Sequence, residues 1–221
     1  DFHATDSVDE DRLRSLPPRS LVVEPMPQTV FRHWELDAVE QVRPDIAQVP
    51  VPFLTHPGMR EALLERAPSL ARLVDGYFQG DRLRCRDLAE EAMTRPTWLE
   101  LDVRVPPACY PGLVPQHLLH RVGVGAPQPS AAGARLAPSY ARLYADLGET
   151  ASAEPETLRQ LLAIHYLGAV QFAAAGEREL AREEIGRARA LAPKDTNVLE
   201  LAKALERQGE GPMAIAQFLD L

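Results

Sequence analysis

The sequence predicts two parts of different class: a small α/β domain with a mostly parallel sheet, then an all-α tail of helical hairpins. Three observations predict this division. Residues 16–124 alternate apolar strand patterns with helical ones. A loop rich in Gly, Pro and Ala follows at 125–137, and residues 138–221 show helical periodicity only. The polar, acidic residues 1–15 are expected to be a linker or a frayed terminus.

The α/β domain opens with a strand, a helix and a strand. The run SLVVE at 20–24 is continuously apolar, which is typical of a buried central strand. Residues 29–41 bring Trp34 and Ala38 to one helical face. A second strand follows at 46–51, where prolines favour a sheet edge. Strand, helix and strand in this order form the smallest crossover unit of a parallel sheet.

The second half of this domain predicts two helical segments, over 57–77 and 81–93. TWLELDVRV at 97–105 alternates apolar and polar residues and predicts a half-exposed strand. A Pro-rich turn at 106–115 leads to a last strand at 117–124.

The tail contains one clear helical hairpin, with helices predicted over 155–175 and 178–191. The first of these is apolar around most of its circumference, which indicates packing on more than one side. A bulky knob, a turn glycine, small contact residues and a helix-ending proline stand where a tetratricopeptide-like hairpin has them. These positions are Phe172, Gly176, Ala181, Ile185, Ala188 and Pro193.

A second, degenerate hairpin is predicted after it. Asp195 or Thr196 caps a helix that runs to about residue 208, and a further helix follows at 212–221. In that last helix Ala214 and Phe218 mirror Ala181 and Ile185.

Composition excludes some partners. The net charge of −8 argues against nucleic acid and against anionic membrane surfaces. Nowhere does an apolar run approach the roughly 20 residues that cross a bilayer. Neither a membrane-spanning segment nor a nucleic-acid partner is therefore expected.

The sequence nominates no catalytic, cofactor-binding or metal-binding residue, and no cofactor is expected. His33 and His165 stand on predicted helices without an acidic or thiol partner at ligand spacing. Glu183 and Glu184, beside Arg187, are expected to form a solvated helix face.

One loop has a functional expectation. Ligands of parallel α/β sheets bind beyond the carboxyl ends of the strands. The loop after the first strand offers Glu24, Gln28 and Thr29 as candidate ligand residues.

The two cysteines, Cys85 and Cys109, leave two alternatives open. They form a single bridge if the compartment is oxidising, or they are two small buried thiols.

The stretch from Leu16 to Leu54 resembles the start of the soluble C-terminal region in a family of bacterial multi-pass membrane proteins. These are related to the protein O-mannosyltransferases that take sugar from a lipid carrier. The residues that carry the resemblance are Leu16-Pro17-Pro18, Phe31, Trp34, Leu36, Val42-Arg43-Pro44-Asp45, Arg95-Pro96-Thr97, Leu113-Val114-Pro115, Leu118-Leu119 and Arg121-Val122. One departure is clear: Met26-Pro27-Gln28-Thr29 replaces the acidic loop of the family.

The resemblance implies that sugar transfer belongs to a membrane-embedded part and that a tetratricopeptide-like tail is common. The expected function is therefore a non-catalytic, extracytoplasmic (periplasmic) soluble domain of a membrane glycosyltransferase-like protein. Its helical tail would dock a partner or acceptor protein, beside the membrane-embedded remainder of the parent chain. The alternative is a free-standing tetratricopeptide-like adaptor in the cytoplasm.

Overall fold

A computed structural model describes residues 12–80, 82–102, 105–116, 118–123, 132–147, 155–207 and positions 213, 215 and 218. These residues fall into two compact units. The N-terminal unit holds the described residues of 12–123, and the C-terminal unit those of 132–218.

The N-terminal unit is built on a five-stranded mixed sheet in the order β2-β1-β3-β5-β4. Its strands are β1 (Leu21–Glu24), β2 (Ala47–Pro50), β3 (Thr97–Leu99), β4 (Leu113–Gln116) and β5 (Leu119–Val122). The first three strands pair in parallel, with Val23 opposite Val49 on one side and Leu99 on the other. The parallel crossover predicted from the first two strands is therefore confirmed, and β1 is fully buried.

Four α-helices accompany the sheet: α1 (Pro27–Ala38), α2 (Met59–Arg66), α3 (Ala71–Phe78) and α4 (Cys85–Thr94). Short 3₁₀ turns lie at Val51–Phe53, Pro68–Leu70 and Pro107–Gly112. The face that α1 buries differs from the predicted one, because it includes Thr29 and His33 while Ala38 is exposed. An apolar pattern cannot find these two residues, which are polar and bury against other polar groups.

The predicted half-exposed strand over 97–105 is wrong. Among the described residues of this stretch only β3 is a strand, and Thr97, Trp98 and Leu99 are all buried. The sheet explains this, because β3 has neighbours on both edges, β1 and β5. Glu100, assigned to a solvent face, is only 3% exposed.

The Pro-rich turn predicted at 106–115 contains a strand. β4 pairs antiparallel with β5 through Leu113–Val122 and Gln116–Leu119, so the sheet is mixed rather than mostly parallel. β4 lies at the edge of the sheet. Proline has no backbone N–H to donate, and an edge strand tolerates it because one side of the strand has no partner strand.

The start of the described chain is not a linker. Residues 12–14 are helical, and Leu13 is 3% exposed. Arg43 anchors this turn, because its Nη1 donates hydrogen bonds to the carbonyl oxygens of Leu13 (2.8 Å) and Leu16 (2.7 Å). The linker expectation for residues 1–11 lies outside the described residues.

Cys85 and Cys109 form a disulfide, so of the two alternatives the bridge is the one present. It joins the first residue of α4 to the 3₁₀ turn before β4.

The C-terminal unit contains α5 (Ala132–Leu147), α6 (Pro155–Ala175), α7 (Arg178–Leu191) and α8 (Thr196–Arg207). The helical region expected from residue 138 begins earlier, so part of the predicted loop at 125–137 is helical and Pro138 lies inside α5. Residues 165–173 of α6 are buried without interruption, which agrees with a helix that packs on more than one side.

The turn between α6 and α7 is a left-handed glycine cap. Gly176 has φ +82°, and the Glu177 N–H donates to the Phe172 carbonyl oxygen at 2.8 Å. This pattern satisfies the last carbonyls of α6, and glycine adopts the left-handed conformation without a Cβ clash. Around the turn, Phe172, Ala181, Ile185 and Ala188 are buried, while Pro193 is exposed.

The described residues contain the first helix of the predicted second hairpin, α8. The Asp195 carboxylate accepts a hydrogen bond from the Val198 N–H at 3.0 Å and caps α8. The helix predicted over 212–221 is wrong for Met213 and Ile215, which are not helical. Phe218 is buried, and Ala214 lies outside the described residues.

Among the helices that the structure describes, none combines the length and the apolar character needed to cross a membrane.

Candidate functional sites

A cluster of buried polar side chains lies at the carboxyl ends of β1 and β3. We call it the strand-end cluster; its members are Arg12, Glu24, Thr29, His33, Gln48 and Glu100. All except the half-buried Gln48 are at most 5% exposed. The parallel strands bring them together, since Glu24 ends β1 and Glu100 follows β3 directly.

Glu100 is held by two partners. Arg12 Nη1 donates to its Oε1 at 2.9 Å, and Thr29 Oγ1 lies 2.8 Å from its Oε2. Burial raises the pKa of Glu100; Arg12 opposes this shift, and the neighbouring Glu24 adds to it. The carboxyl therefore keeps its proton to higher pH than an ordinary glutamate.

The hydroxyl of Thr29 lies between two acceptors. Its Oγ1 lies 2.8 Å from Glu100 Oε2 and also 2.8 Å from the Met26 carbonyl oxygen. A hydroxyl has one proton and can donate to only one of these acceptors. When the hydroxyl donates to Glu100, it stabilises the carboxylate and, like Arg12, opposes the upward pKa shift that burial causes.

Glu24 binds a different pair of residues. Its Oε1 lies 3.2 Å from His33 Nδ1, and its Oε2 accepts a hydrogen bond from Gln48 Nε2. The side chains of α1 and β2 are thereby fixed to the end of β1.

A cavity of about 480 Å³ adjoins this cluster. His33 and Gln48 line it, as do Trp34, Met59 and Leu63. At its mouth an ion pair joins α1 to α2: Arg66 Nη2 lies 3.5 Å from Asp37 Oδ2, with the two side chains 79% and 32% exposed. We call this space the α1–α2 cavity.

The three residues of the predicted ligand loop do not come together in one site. Glu24 and Thr29 are buried in the strand-end cluster and bound to protein groups, whereas Gln28 is exposed. His33 has no acidic partner at ligand spacing in the sequence, but the fold brings Glu24 of β1 to it. One signal in the sequence points to the cluster: Glu24 closes a fully apolar strand, where a charge needs buried partners.

A second buried network connects three helices of the C-terminal unit. We call it the helix cluster; its members are Tyr140, Tyr144, His165, Glu184 and Arg187. Glu184 Oε2 accepts from Tyr140 Oη at 2.9 Å and lies 2.6 Å from His165 Nδ1, and Arg187 Nη1 donates to its Oε1. The other ring nitrogen of His165, Nε2, lies 2.6 Å from Tyr144 Oη.

This network corrects the expectation for Glu184 and gives His165 a partner that is distant in the sequence. Glu184 is 3% exposed and His165 is fully buried, so Glu184 is not part of a solvated face and His165 has an acidic partner. Glu183, its neighbour, does remain 60% exposed. Burial raises the pKa of Tyr140, and the Glu184 carboxylate adds to the shift, so this phenol stays a proton donor.

A cavity of about 380 Å³ opens beside the helix cluster, and we call it the α7 cavity. Leu136, Phe172 and Leu180 give it an apolar lining, and Glu183 and Arg187 add opposite charges.

Within the described residues, no group of His, Cys, Asp and Glu is arranged to hold a metal ion. Comparison with known proteins adds no assignment: no family model, curated protein or solved structure matches this chain.

Proposed function

We propose that this chain is a non-catalytic, extracytoplasmic module of a membrane glycosyltransferase-like protein, and that its C-terminal unit docks a partner or acceptor protein. The observation that carries the docking proposal is the α7 cavity. Its apolar lining and its volume of about 380 Å³ suit the side chain of another protein. The tetratricopeptide-like character of the α6–α7 hairpin belongs to the same proposal.

Charge suggests the chemistry of the partner. Glu179 and Glu183 lie on α7, which also lines the cavity, and their side chains are 81% and 60% exposed. The whole chain carries a net charge of −8. A segment with a large apolar residue next to a basic one would place the first in the cavity and the second near these carboxylates.

The disulfide supports the extracytoplasmic location. Cys85 and Cys109 are bridged, and disulfides persist in oxidising compartments. The membrane-embedded parent rests on the family resemblance of residues 16–124. Thiols that are free in protein from the native host would favour the alternative, a cytoplasmic adaptor.

Peptide selection tests the docking proposal. A phage-displayed random library is panned on the folded chain, and we expect enrichment of peptides with an apolar residue adjacent to Lys or Arg. Leu180→Asp and Glu183→Lys should each weaken binding of the selected peptides by about tenfold or more. The matched control is Glu200→Lys, an exposed acidic residue on α8 that does not line the cavity. Equal weakening of peptide binding by all three variants would contradict a specific site.

The non-catalytic part has its own assay. The purified chain is expected neither to transfer nor to hydrolyse sugar from a lipid-phosphate donor. Turnover that is lost in Glu24→Gln or Glu100→Gln would overturn this, because it would make the strand-end cluster an acid/base site.

A further inference from the structure

The α1–α2 cavity has features that its neighbouring elements do not require. Its eight-residue helix α2 buries none of its side chains, and its apolar residues Met59 and Leu63 remain half-buried at the cavity. Well-packed interiors leave few voids larger than a water molecule. A space of about 480 Å³ under a helix lies within the range of small-molecule sites.

Three charged residues line the cavity: Asp37, Asp45 and Arg66. Asp45 is engaged by Arg43 Nε at 2.8 Å, which leaves Asp37 and Arg66 as a solvent-accessible pair of opposite charge. Asp37 comes from α1 and Arg66 from α2, and their closest atoms are 3.5 Å apart, which is longer than a tight charge-assisted hydrogen bond. Both side chains reach solvent. A ligand that carries both charges can therefore engage each of them without leaving a buried charge unpaired.

The lining combines apolar side chains, among them Trp34, Met59 and Leu63, with the polar side chains of His33 and Gln48. Trp34 is positioned by ring contacts with Phe31 (centroids 5.7 Å apart) and Phe53 (5.3 Å). Glu24 holds the side chains of His33 and Gln48, so both are in place before a ligand binds. Preorganised walls of this kind reduce the ordering cost of binding.

We propose that the α1–α2 cavity binds a free α-amino acid. The ammonium group pairs with Asp37, the carboxylate pairs with Arg66, and the side chain lies against Trp34, Met59 and Leu63. This site is in the N-terminal unit, and the proposal is independent of the docking function assigned to the α7 cavity.

Other small ligands fit the mouth less well. A phosphate or sulfate would meet the Asp37 carboxylate, and an organic cation would meet the Arg66 guanidinium. A neutral polyol would use neither charge.

Calorimetry on the full chain tests the proposal with leucine, methionine and glutamine as probes. We expect saturable binding of at least one of them. For the amino acid that binds, the analogue without the amine and the analogue without the carboxylate should each bind about tenfold or more weakly. For leucine these analogues are 4-methylpentanoate and 3-methylbutylamine.

Variants locate the site. Asp37→Asn and Arg66→Gln should each weaken binding by about tenfold or more. The matched control is Arg60→Gln: Arg60 is on the same helix and is paired with Asp75 at 2.5 Å, but it does not line the cavity. The two tryptophans give a second readout, because ligand should shift the indole NMR signal of Trp34 and not that of Trp98, which is 2% exposed in the core.

Three results with the amino acids and the variants would each overturn the proposal. They are no saturable binding of any probe, equal binding of an analogue that lacks one charge, and equal weakening by Arg60→Gln. Saturable binding of a neutral methyl pyranoside in place of the amino acids, with the same Trp34 shift, would also overturn it and assign the cavity to polyols.

Discussion

At the scale of single residues, two adjacent glutamates show how strongly position determines the role of a charge. Glu183 is 60% exposed, whereas Glu184 is 3% exposed and accepts hydrogen bonds from helices on both sides. We expect Glu184→Ala to lower the free energy of unfolding by about 3–5 kcal/mol, because it leaves His165 and Tyr140 buried without their partner. Urea denaturation measures this.

The neighbouring residue supplies the control. Glu183→Ala removes a carboxylate of the same type from the same helix and should change stability by no more than about 0.5 kcal/mol. Equal effects of the two substitutions would show that the helix cluster does not stabilise the unit.

Glu100 leads to a prediction about pH. Burial raises its pKa in the folded chain, so between the unfolded value of about 4.3 and the raised value the folded chain binds a proton that the unfolded chain has lost. The contribution of Glu100 to stability is therefore largest below this window and falls as pH rises through it. Glu100→Gln mimics the protonated acid and should gain stability relative to wild type between about pH 4 and pH 7.

Urea denaturation of the wild type and of Glu100→Gln at about pH 4 and pH 7 measures this difference in the free energy of unfolding. Glu35→Gln, at a glutamate that is 57% exposed, is the control and should show no such gain. A difference between wild type and Glu100→Gln that is the same at both pH values would mean that Glu100 ionises normally.

At the scale of elements, the disulfide ties α4 to the segment that leads into β4. The 24-residue separation between Cys85 and Cys109 predicts that the bridge stabilises the fold by about 2–4 kcal/mol, mainly by restricting the unfolded chain. The double substitution Cys85→Ser with Cys109→Ser should lose this amount in urea denaturation. A reductant should lower the stability of the wild type to the same level and leave the variant unchanged; a wild type that does not respond would contradict the prediction.

Elements with strong local signals were predicted, and those that depend on neighbours were not. β1 was predicted because its apolar run is buried on both faces, and α6 because proline and glycine mark its two ends. β4 was missed because Pro115 indicates a turn unless the strand is known to lie at an edge.

At the scale of the whole molecule, the helix cluster predicts which fragments fold. Tyr140 and Tyr144 come from α5, while their partners His165 and Glu184 come from α6 and α7. We expect a fragment of residues 150–221 to be poorly folded by circular dichroism, because it lacks both tyrosines and the helix that carries them. A fragment of residues 128–221 should be more helical and melt cooperatively. A sharply melting 150–221 fragment would show that α5 is dispensable.

The sequence by itself determined the division into an α/β part and a helical part, the parallel crossover and the α6–α7 hairpin. These features rest on periodicity, glycine and proline, which act within a few residues of the chain. Only the tertiary structure decided the two buried clusters. Glu24 and His33 are nine residues apart, Glu184 and His165 nineteen, and Glu100 and Arg12 eighty-eight. From the sequence alone, a single charged residue is expected to be exposed to solvent. Its side chain can be buried stably only when the fold places a residue of opposite charge or a hydrogen-bonding partner beside it.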